Sequence, residues 1–320
     1  MLPPPDRLTI CFAHVAYQLQ QRFALRQTGI AGFEVRERAA LDRRVGEADV
    51  LVISGLWHDG LLERAGRLAY IQSIGAGTDQ FPRARLAERG IRLASAQGVN
   101  AHAVADHAMA LVLALARKLP AARDNQARQF WRPMIGNISE REDELGGKTL
   151  LIVGLGRIGA RLARLARAFD MRVIGLRRNP AAADAGEVHG IEALARFLPE
   201  ADFVALTCPL TPETEKLIDA AALARMRPGA YLVNVARGRV VDQAALVAAL
   251  RDGRLAGAAL DVTEPEPLPP DAPFWSMPNV LITPHVGGET RRYEDNVLDI
   301  LQENLARLWR GETTLRNQIV

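Results

Sequence analysis

The sequence has few of the features that mark secreted, metal-binding or nucleic-acid-binding proteins. Its 320 residues include only two cysteines, Cys11 and Cys208, which are too far apart in the chain to indicate a disulfide framework or a metal motif. Forty basic residues against 37 acidic residues leave a net charge of only +3. Lys and Arg form no run long enough for a nucleic-acid-binding arm. We therefore expect no metal site and no nucleic-acid partner.

Long hydrophobic runs are also missing. The longest apolar stretch, around 108–116, is too short to span a bilayer, so no membrane partner is expected. The N-terminus begins Met-Leu-Pro-Pro-Pro and lacks the basic and then apolar order of a signal peptide. These absences predict a cytoplasmic protein, and its length is sufficient for two domains.

What the chain does contain is an alternation of short aliphatic runs with helical segments, which is typical of βαβ units and a parallel sheet. Several runs are apolar on both faces, as strands covered by helices on both sides require. Predicted strands lie at 8–13, 50–54, 68–73, 91–94, 172–176, 203–207, 230–235, 256–262 and 280–283, with another ending at Val153. Predicted helices lie at 18–27, 101–118 (ended by Pro120) and 290–310.

The strand that ends at Val153 leads into the pattern Gly-x-Gly-x-x-Gly at Gly154, Gly156 and Gly159, followed by apolar residues at helical spacing. In such a pattern the first glycine permits a tight turn, the second lets the backbone approach a pyrophosphate, and the third lets the helix pack on its strand. The pyrophosphate then lies against the N–H groups at the positive end of the helix. A glycine triplet alone is weak evidence, but here both flanking elements are predicted. The pattern therefore indicates a dinucleotide site.

The alanine- and leucine-rich segment 101–118 is apolar around most of its circumference. This predicts a buried helix, packed between domains or against a second subunit. His102 and His107 lie on it, and we interpret both as structural or exposed because neither has a metal partner at the usual spacing.

Three polar residues follow predicted strands and suggest a reaction centre. Arg237, Glu266 and His285 should converge where the cofactor lies, at the carboxyl ends of the strands. Reduction of a 2-keto acid needs an anchor for the carboxylate, which arginine supplies, and a proton donor, which histidine supplies. A carboxylate on the far ring nitrogen fixes the tautomer. Each residue taken singly also fits an exposed surface position.

At this point the sequence resembles the D-isomer-specific 2-hydroxyacid dehydrogenases over nearly its whole length. The matching motifs lie at 73–79, 98–100 with 103–107, 153–159, 208–214, 234–238, 260–267 and 283–288. The resemblance implies two Rossmann-like, doubly wound parallel-sheet α/β domains with an active-site cleft between them. A flavodoxin-like substrate domain would comprise 1–98 and 288–320, and the dinucleotide-binding domain would comprise 99–287.

The resemblance also implies roles for individual residues. The family's catalytic Arg, Glu and His fall on Arg237, Glu266 and His285, and backbone amides near Ile74, Gly75 and Ala76 would hold the substrate carboxylate. Asp261 would hold the nicotinamide carboxamide. The cofactor-binding set implied is Gly154, Gly156, Arg157, Ile158, Gly159, Arg177, Arg178, Cys208, Pro209, Val235, Ala236, Asp261, His285 and Gly287. Members are commonly homodimers built on the nucleotide domain.

One departure from the family bears on the cofactor. NAD-specific members carry an aspartate after the second strand of the nucleotide domain, whereas this chain has Arg177 and Arg178. Without the carboxylate, a 2′-phosphate is not repelled, and two guanidinium groups can bind it. The sequence therefore favours NADP(H), with NAD(H) as the alternative if both arginines point to solvent.

The leading hypothesis is an NADP(H)-preferring reductase of glyoxylate or hydroxypyruvate, in which His285 supplies the proton. One alternative is an NAD-dependent dehydrogenase of a phosphorylated or bulkier 2-hydroxyacid, against which we count the lack of a regulatory extension. Another is a nucleotide-sensing, corepressor-like binding protein. A formate-type dehydrogenase is disfavoured by Glu266. The sequence leaves open whether Trp57 and His58 contact the substrate or cap a surface loop, which we favour.

Overall fold

The computed structural model describes residues 2–180 and 186–320. Within them the chain divides into two compact units, one formed by 1–100 with 290–320 and the other by 101–289. No helix in these described ranges is long and apolar enough to cross a membrane.

The first unit is built on a parallel sheet of five strands, in the order β2-β1-β3-β4-β5. This is the flavodoxin-like order, in which the direction of strand addition reverses between β1 and β3. The strands are β1 Thr9–Ala13, β2 Ala31–Val35, β3 Val50–Ile53, β4 Tyr70–Ser73 and β5 Arg92–Ala94.

The second unit contains a parallel sheet of seven strands among the described residues, in the order β12-β11-β10-β9-β6-β7-β8. Counted from β6, this is the dinucleotide-binding order with one further strand, and its reversal lies between β6 and β9. The strands are β6 Thr149–Val153, β7 Arg172–Leu176, β8 Glu187–His189, β9 Phe203–Leu206, β10 Tyr231–Asn234, β11 Gly257–Leu260 and β12 Val280–Ile282.

Helices cover both faces of each sheet, so each unit has two hydrophobic clusters. In the second unit, α4 and α6 pack together over one face of the sheet. The α-helices are α1 Leu19–Ala24, α2 Arg38–Arg44, α3 Arg83–Glu88, α4 Ala101–Ala116, α5 Leu119–Ala127, α6 Arg157–Ala168, α7 Leu194–Phe197, α8 Ala220–Arg225, α9 Gln243–Arg251 and α10 Tyr293–Trp309.

The predicted fold class, two Rossmann-like doubly wound parallel sheets, is confirmed. The helix predicted at 101–118 is observed as α4, Ala101–Ala116, but Pro120 is not the residue that ends it. Helix α4 ends at Ala116, Lys118 adopts the left-handed conformation with φ +50°, and Pro120 lies in the first turn of α5. A proline is tolerated there because the first N–H groups of a helix have no intrahelical partner.

Candidate active site

The glycine loop lies at the reversal point of the seven-stranded sheet, between β6 and β9. Gly154 follows β6 with φ +106°, and a Cβ at this position would lie 2.4 Å from the backbone nitrogen of Cys208. Both the dihedral angle and the close approach therefore require glycine. The Thr207 hydroxyl donates a hydrogen bond of 2.7 Å to the carbonyl of Gly154, so the end of β9 holds the loop in place.

The other two glycines of the pattern begin α6 and seat it on the sheet. Gly156 is the N-cap residue, and a Cβ at Gly159 would lie 2.5 Å from the carbonyl oxygen of Gly154. The loop thus leads directly to the positive end of a 12-residue helix, which favours a bound anion. Arg157 and Ile158 form the start of this helix, where the pyrophosphate contacts are expected.

The residues expected around the adenine ribose follow β7. Arg177 is half-buried and Arg178 is exposed. In the loop after β9 a hydrogen bond from Thr211 lowers the pKa of the Glu213 carboxyl below its ordinary value, and the charge of Arg178 contributes less. In that loop Cys208 is buried, which raises its thiol pKa to about 11, and Pro209 is exposed. A neutral thiol with an apolar surface suits a wall of the nucleotide site.

The turn that carries His285 is fixed by Asp261, which directly follows β11. The carboxylate accepts hydrogen bonds from the backbone N–H groups of Val286 and Gly287, both at 3.0 Å, and from the Thr283 hydroxyl at 2.6 Å. The His285 N–H donates to the Asp261 carbonyl at 2.8 Å. His285 itself adopts φ +55°, which an L-residue holds only when surrounding contacts enforce it. Asp261 supplies those contacts.

His285 and Glu266 form a pair at the same edge of the sheet. The Nδ1 atom of His285 lies 2.8 Å from Oε2 of Glu266, and the two side chains are 48% and 38% exposed. The other carboxylate oxygen of Glu266 accepts the N–H of Thr263 at 3.0 Å. The carboxylate accepts the hydrogen on Nδ1, so Nε2 is the nitrogen that gains and loses a proton. The pair therefore has the geometry of an oriented acid–base histidine.

Arg237 lies after β10, the strand next to β11. The Asn234 side chain donates to the Arg237 carbonyl at 3.0 Å and accepts the N–H of Ala236 at 3.0 Å, which fixes the turn. Val235 and Ala236 are buried, whereas Arg237 is exposed. Because β10, β11 and β12 are parallel neighbours, the residues that follow them lie at the same edge of the sheet as the glycine loop.

The predicted substrate-binding backbone belongs to the five-stranded unit, directly after β4. Ile74 is buried and its carbonyl accepts a hydrogen bond of 2.9 Å from the Tyr293 hydroxyl of α10. Gly75 is partly buried and Ala76 is exposed. The role of this segment in substrate binding stays a prediction. The roles of the cofactor-binding residues stay predictions as well.

Trp57 lies differently from its interpretation in the sequence, whereas His107 fits the structural role that the sequence allowed for it. Trp57 is buried and packs on Phe81 with 4.9 Å between ring centroids, so it belongs to the core of its unit rather than to a surface loop. His107, on α4, reaches the Asp261 turn: its Nε2 lies 3.0 Å from Thr283 Oγ1. No pattern along the chain signalled this contact, because it joins residues 176 positions apart.

The comparisons with known proteins agree with this geometry. Residues 109–287 match the NAD binding domain of the D-isomer specific 2-hydroxyacid dehydrogenases. A glyoxylate reductase from Korarchaeum cryptofilum is 37% identical over 280 residues, which are 84% of this chain and 82% of that protein. A D-3-phosphoglycerate dehydrogenase from Methanocaldococcus jannaschii is 36% identical over 293 residues; these cover 89% of this chain but only 53% of that longer protein.

A solved structure shows the same similarity in three dimensions. The NADPH-dependent glyoxylate/hydroxypyruvate reductase from Sinorhizobium meliloti, in complex with NADP and malonate, aligns with a TM-score of 0.78 at 28% identity. The alignment covers 98% of this chain and 97% of that chain.

Proposed function

Because the chain belongs to the D-isomer specific 2-hydroxyacid dehydrogenase family, we propose that it reduces small 2-keto acids of the glyoxylate or hydroxypyruvate type, with NADP(H) as the preferred cofactor. The family is the one predicted from the sequence. The observation that carries the proposal is the 2.8 Å contact between Glu266 and His285, which orients a proton donor at the edge of the sheet where the glycine loop lies.

In the proposed reaction His285, Glu266 and Arg237 have different roles. A bound nicotinamide supplies the hydride. His285 donates the Nε2 proton to the carbonyl oxygen of the keto acid, while Glu266 stabilises the charged ring through Nδ1. Arg237 binds the substrate carboxylate with two parallel N–H donors and polarises the adjacent carbonyl. In the reverse direction His285 accepts the hydroxyl proton.

The proposed preference for NADP(H) rests on Arg177 and Arg178, which follow β7 where NAD-specific members carry an aspartate. An aspartate there would repel a 2′-phosphate, whereas a guanidinium attracts it. The similarity to an NADPH-dependent reductase is consistent with the same preference.

An assay of the purified protein tests both parts of the proposal. Glyoxylate, hydroxypyruvate and phosphohydroxypyruvate are each reduced with NADPH and with NADH, and nicotinamide oxidation is followed by absorbance. We expect the two small acids to be turned over, and kcat/KM to be at least about tenfold higher with NADPH. The phosphorylated acid tests the alternative raised by the similarity to D-3-phosphoglycerate dehydrogenases.

Two variants assign that activity to the proposed residues. Arg177→Asp should reverse the cofactor preference, because it restores a ribose acceptor and repels the phosphate. His285→Ala should lower kcat by about 100-fold or more, a larger effect than the one on NADPH affinity. Equal effects of Arg177→Asp on both cofactors would contradict the phosphate contact, and unchanged turnover in His285→Ala would remove His285 as the acid.

We also propose a homodimer formed through the nucleotide-binding unit. Exposed hydrophobic side chains are concentrated after α4, in a segment that borders a cavity of about 910 Å³. Such a patch is unusual on a monomer. Its large side chains include Trp131 at 96% and Met134 at 97% exposed, together with Leu119, Phe130 and Ile138.

The molecular mass in solution tests this assembly. Light scattering of the eluting protein should give about twice the 34.9 kDa chain mass, and the double substitution Trp131→Ser with Met134→Ser should shift it toward the chain mass. Trp275, exposed in the same unit, provides the matched control as Trp275→Ser. A single-chain mass for the unmodified protein at micromolar concentration would overturn the proposed dimer.

A further inference from the structure

Helix α4 contributes a side chain to the turn that carries His285. The Nε2 atom of His107 lies 3.0 Å from Thr283 Oγ1 and 3.3 Å from Asp261 Oδ1. The His107 side chain is 21% exposed and that of Asp261 is 4% exposed. The imidazole therefore contacts the same buried carboxylate oxygen that accepts the N–H of Val286.

The direction of each hydrogen bond in this cluster is determined by its neighbours. The Thr283 hydroxyl donates to Asp261 Oδ1 at 2.6 Å, so its oxygen is left to accept a proton from His107. An ionised carboxylate also accepts only. His107 must therefore carry a hydrogen on Nε2, shared between Thr283 and Asp261. Burial alone would raise the Asp261 pKa, but hydrogen bonds from His107, Thr283 and Gly287 lower it to about 2.

The ring of His107 also limits the space available to the turn. A Cβ at Gly287 would lie 3.0 Å from Cδ2 of His107 and 2.8 Å from Oδ2 of Asp261. The turn is thus enclosed between the carboxylate and the imidazole. Because α4 runs over four turns and is largely buried against the sheet, it offers a fixed point of attachment.

We propose that His107 is a positioning residue for the acid–base histidine: its Nε2–H holds Thr283 and Asp261, and Asp261 in turn holds the strained turn that aims His285. The inference rests on the proposed function for its kinetic consequence. The chain of contacts is His107 to Asp261, Asp261 to the N–H groups of Val286 and Gly287, and from these to His285. Without the His107 contact, one buried oxygen of Asp261 loses a donor and the turn gains freedom.

Substitutions at His107 separate its hydrogen bond from its bulk. His107→Gln places an amide N–H near the position of Nε2, whereas His107→Leu keeps an apolar volume without a donor. We expect kcat to fall roughly tenfold in the Leu variant, as the loss of a hydrogen bond to a buried charge predicts, and to stay within about threefold in the Gln variant. His102→Leu, at an exposed site on the same helix, is the control and should leave kcat unchanged.

The pathway of the effect is tested in the background of His285→Ala. If His107 acts through His285, then His107→Leu should lower the residual rate of that variant by less than about twofold. A full tenfold loss in this background would overturn the proposal. So would a Leu variant whose kcat is normal but whose NADPH dissociation constant is raised, because His107 would then serve cofactor binding alone.

Amide hydrogen exchange gives a readout that needs no turnover. Peptides that cover 283–289 should exchange about tenfold faster in His107→Leu than in the unmodified protein, while the glycine-loop peptides keep their rates. Thr283→Val, which removes only the bridging hydroxyl, should show the same change and replaces the Leu variant if that variant does not fold. Unchanged protection in both variants would overturn the proposal. If the unmodified protein reduces no 2-keto acid, the proposed function fails, and the exchange rates still decide whether His107 holds the turn.

Discussion

In both units the first strand of the sheet is followed by a turn at the point where the strand order reverses, yet the two turns are built from different residues. Ligands of doubly wound sheets bind at this point, outside the carboxyl ends of the strands. After β6 the chain continues as Gly-Leu-Gly-Arg-Ile-Gly, and after β1 it continues as His-Val-Ala-Tyr. The comparison shows which residues leave the backbone N–H groups of such a turn available to a ligand and which residues bond them.

The turn after β1 is closed by its own side chains. Nδ1 of His14 accepts the N–H groups of Ala16 at 3.0 Å and Tyr17 at 2.9 Å. The His14 and Tyr17 rings stack with 4.2 Å between centroids, and Tyr17 packs in turn on Tyr293. The N–H groups that could bind an anion here are therefore already satisfied by an imidazole.

The turn after β6 contains no side chain at the three glycine positions, so the backbone itself forms the surface. Gly154 brings the loop against the backbone of Cys208, and Gly156 begins a helix long enough to bind an anion at its N-terminus. Both sheets are parallel and reverse their strand order beside the first strand, but only in the seven-stranded sheet is the turn at that point built on glycines rather than closed by side chains. The residues of the first turn, rather than the fold, determine which sheet binds the cofactor.

The largest effect is expected from Gly154→Ala. The new Cβ would lie 2.4 Å from the Cys208 nitrogen, and the residue would have to adopt φ +106°. Both costs fall on backbone atoms that cannot move independently, so we expect a loss of about 4 kcal/mol or more in the free energy of unfolding. Urea denaturation of the purified variant measures this loss. Recovery of the variant in inclusion bodies alone would also agree with a large loss.

Gly156→Ala is the matched control within the same loop. Among the described residues, no atom lies within 4 Å of a Cβ at Gly156, and its φ of −89° is accessible to alanine. This variant should unfold at nearly the same urea concentration but bind NADPH about tenfold more weakly, because the methyl group occupies the place of the pyrophosphate. Equal stability of the two variants would contradict the distinction between packing and ligand-binding glycines.

Comparing the strands shows how much of the fold the sequence predicts. The central strands β3, β6 and β9 are buried throughout, so each appears as a continuous apolar run that was predicted. The edge strands β2 and β8 were missed, since their residues are mostly exposed or half-buried and carry little pattern. Burial is not the only signal, because the edge strand β12 is half-buried and was still predicted from its aliphatic residues.

The candidate site divides in the same way. The glycine loop and the residues after β10, β11 and β12 were predictable because each directly follows a recognisable strand, and parallel strands end at one edge. The contribution of His107 was not predictable, since it depends on how α4 packs across the turn after β12. Gly75 shows a different limit. Packing within its own unit does not require a glycine there, and its role in substrate binding stays a prediction.

The smallest effect is expected at the closed turn, from His14. Burial, aided by the charge of Arg36 and opposed by that of Glu294, lowers the His14 pKa below its ordinary value of 6.5. Protonation of Nδ1 would also remove the acceptor of two N–H groups. As pH falls below 6.5, the unfolded chain therefore binds a proton that the folded chain resists, and stability is lost. Above pH 6.5 this contribution is fully present.

Two substitutions separate the hydrogen bonds of His14 from its titration. His14→Asn keeps a local acceptor that does not titrate, whereas His14→Ala loses it and should cost about 1 kcal/mol at pH 8. Urea titrations at pH 8 and pH 5 should show the unmodified protein losing stability relative to the Asn variant on acidification. NADPH affinity should stay unchanged in both variants, because the N–H groups of this turn bond the His14 side chain and not a ligand. Parallel pH profiles for the unmodified protein and the Asn variant would show that the pKa of His14 is the same in the folded and unfolded chain. A change in NADPH affinity would contradict the distinction between the turn after β1 and the turn after β6.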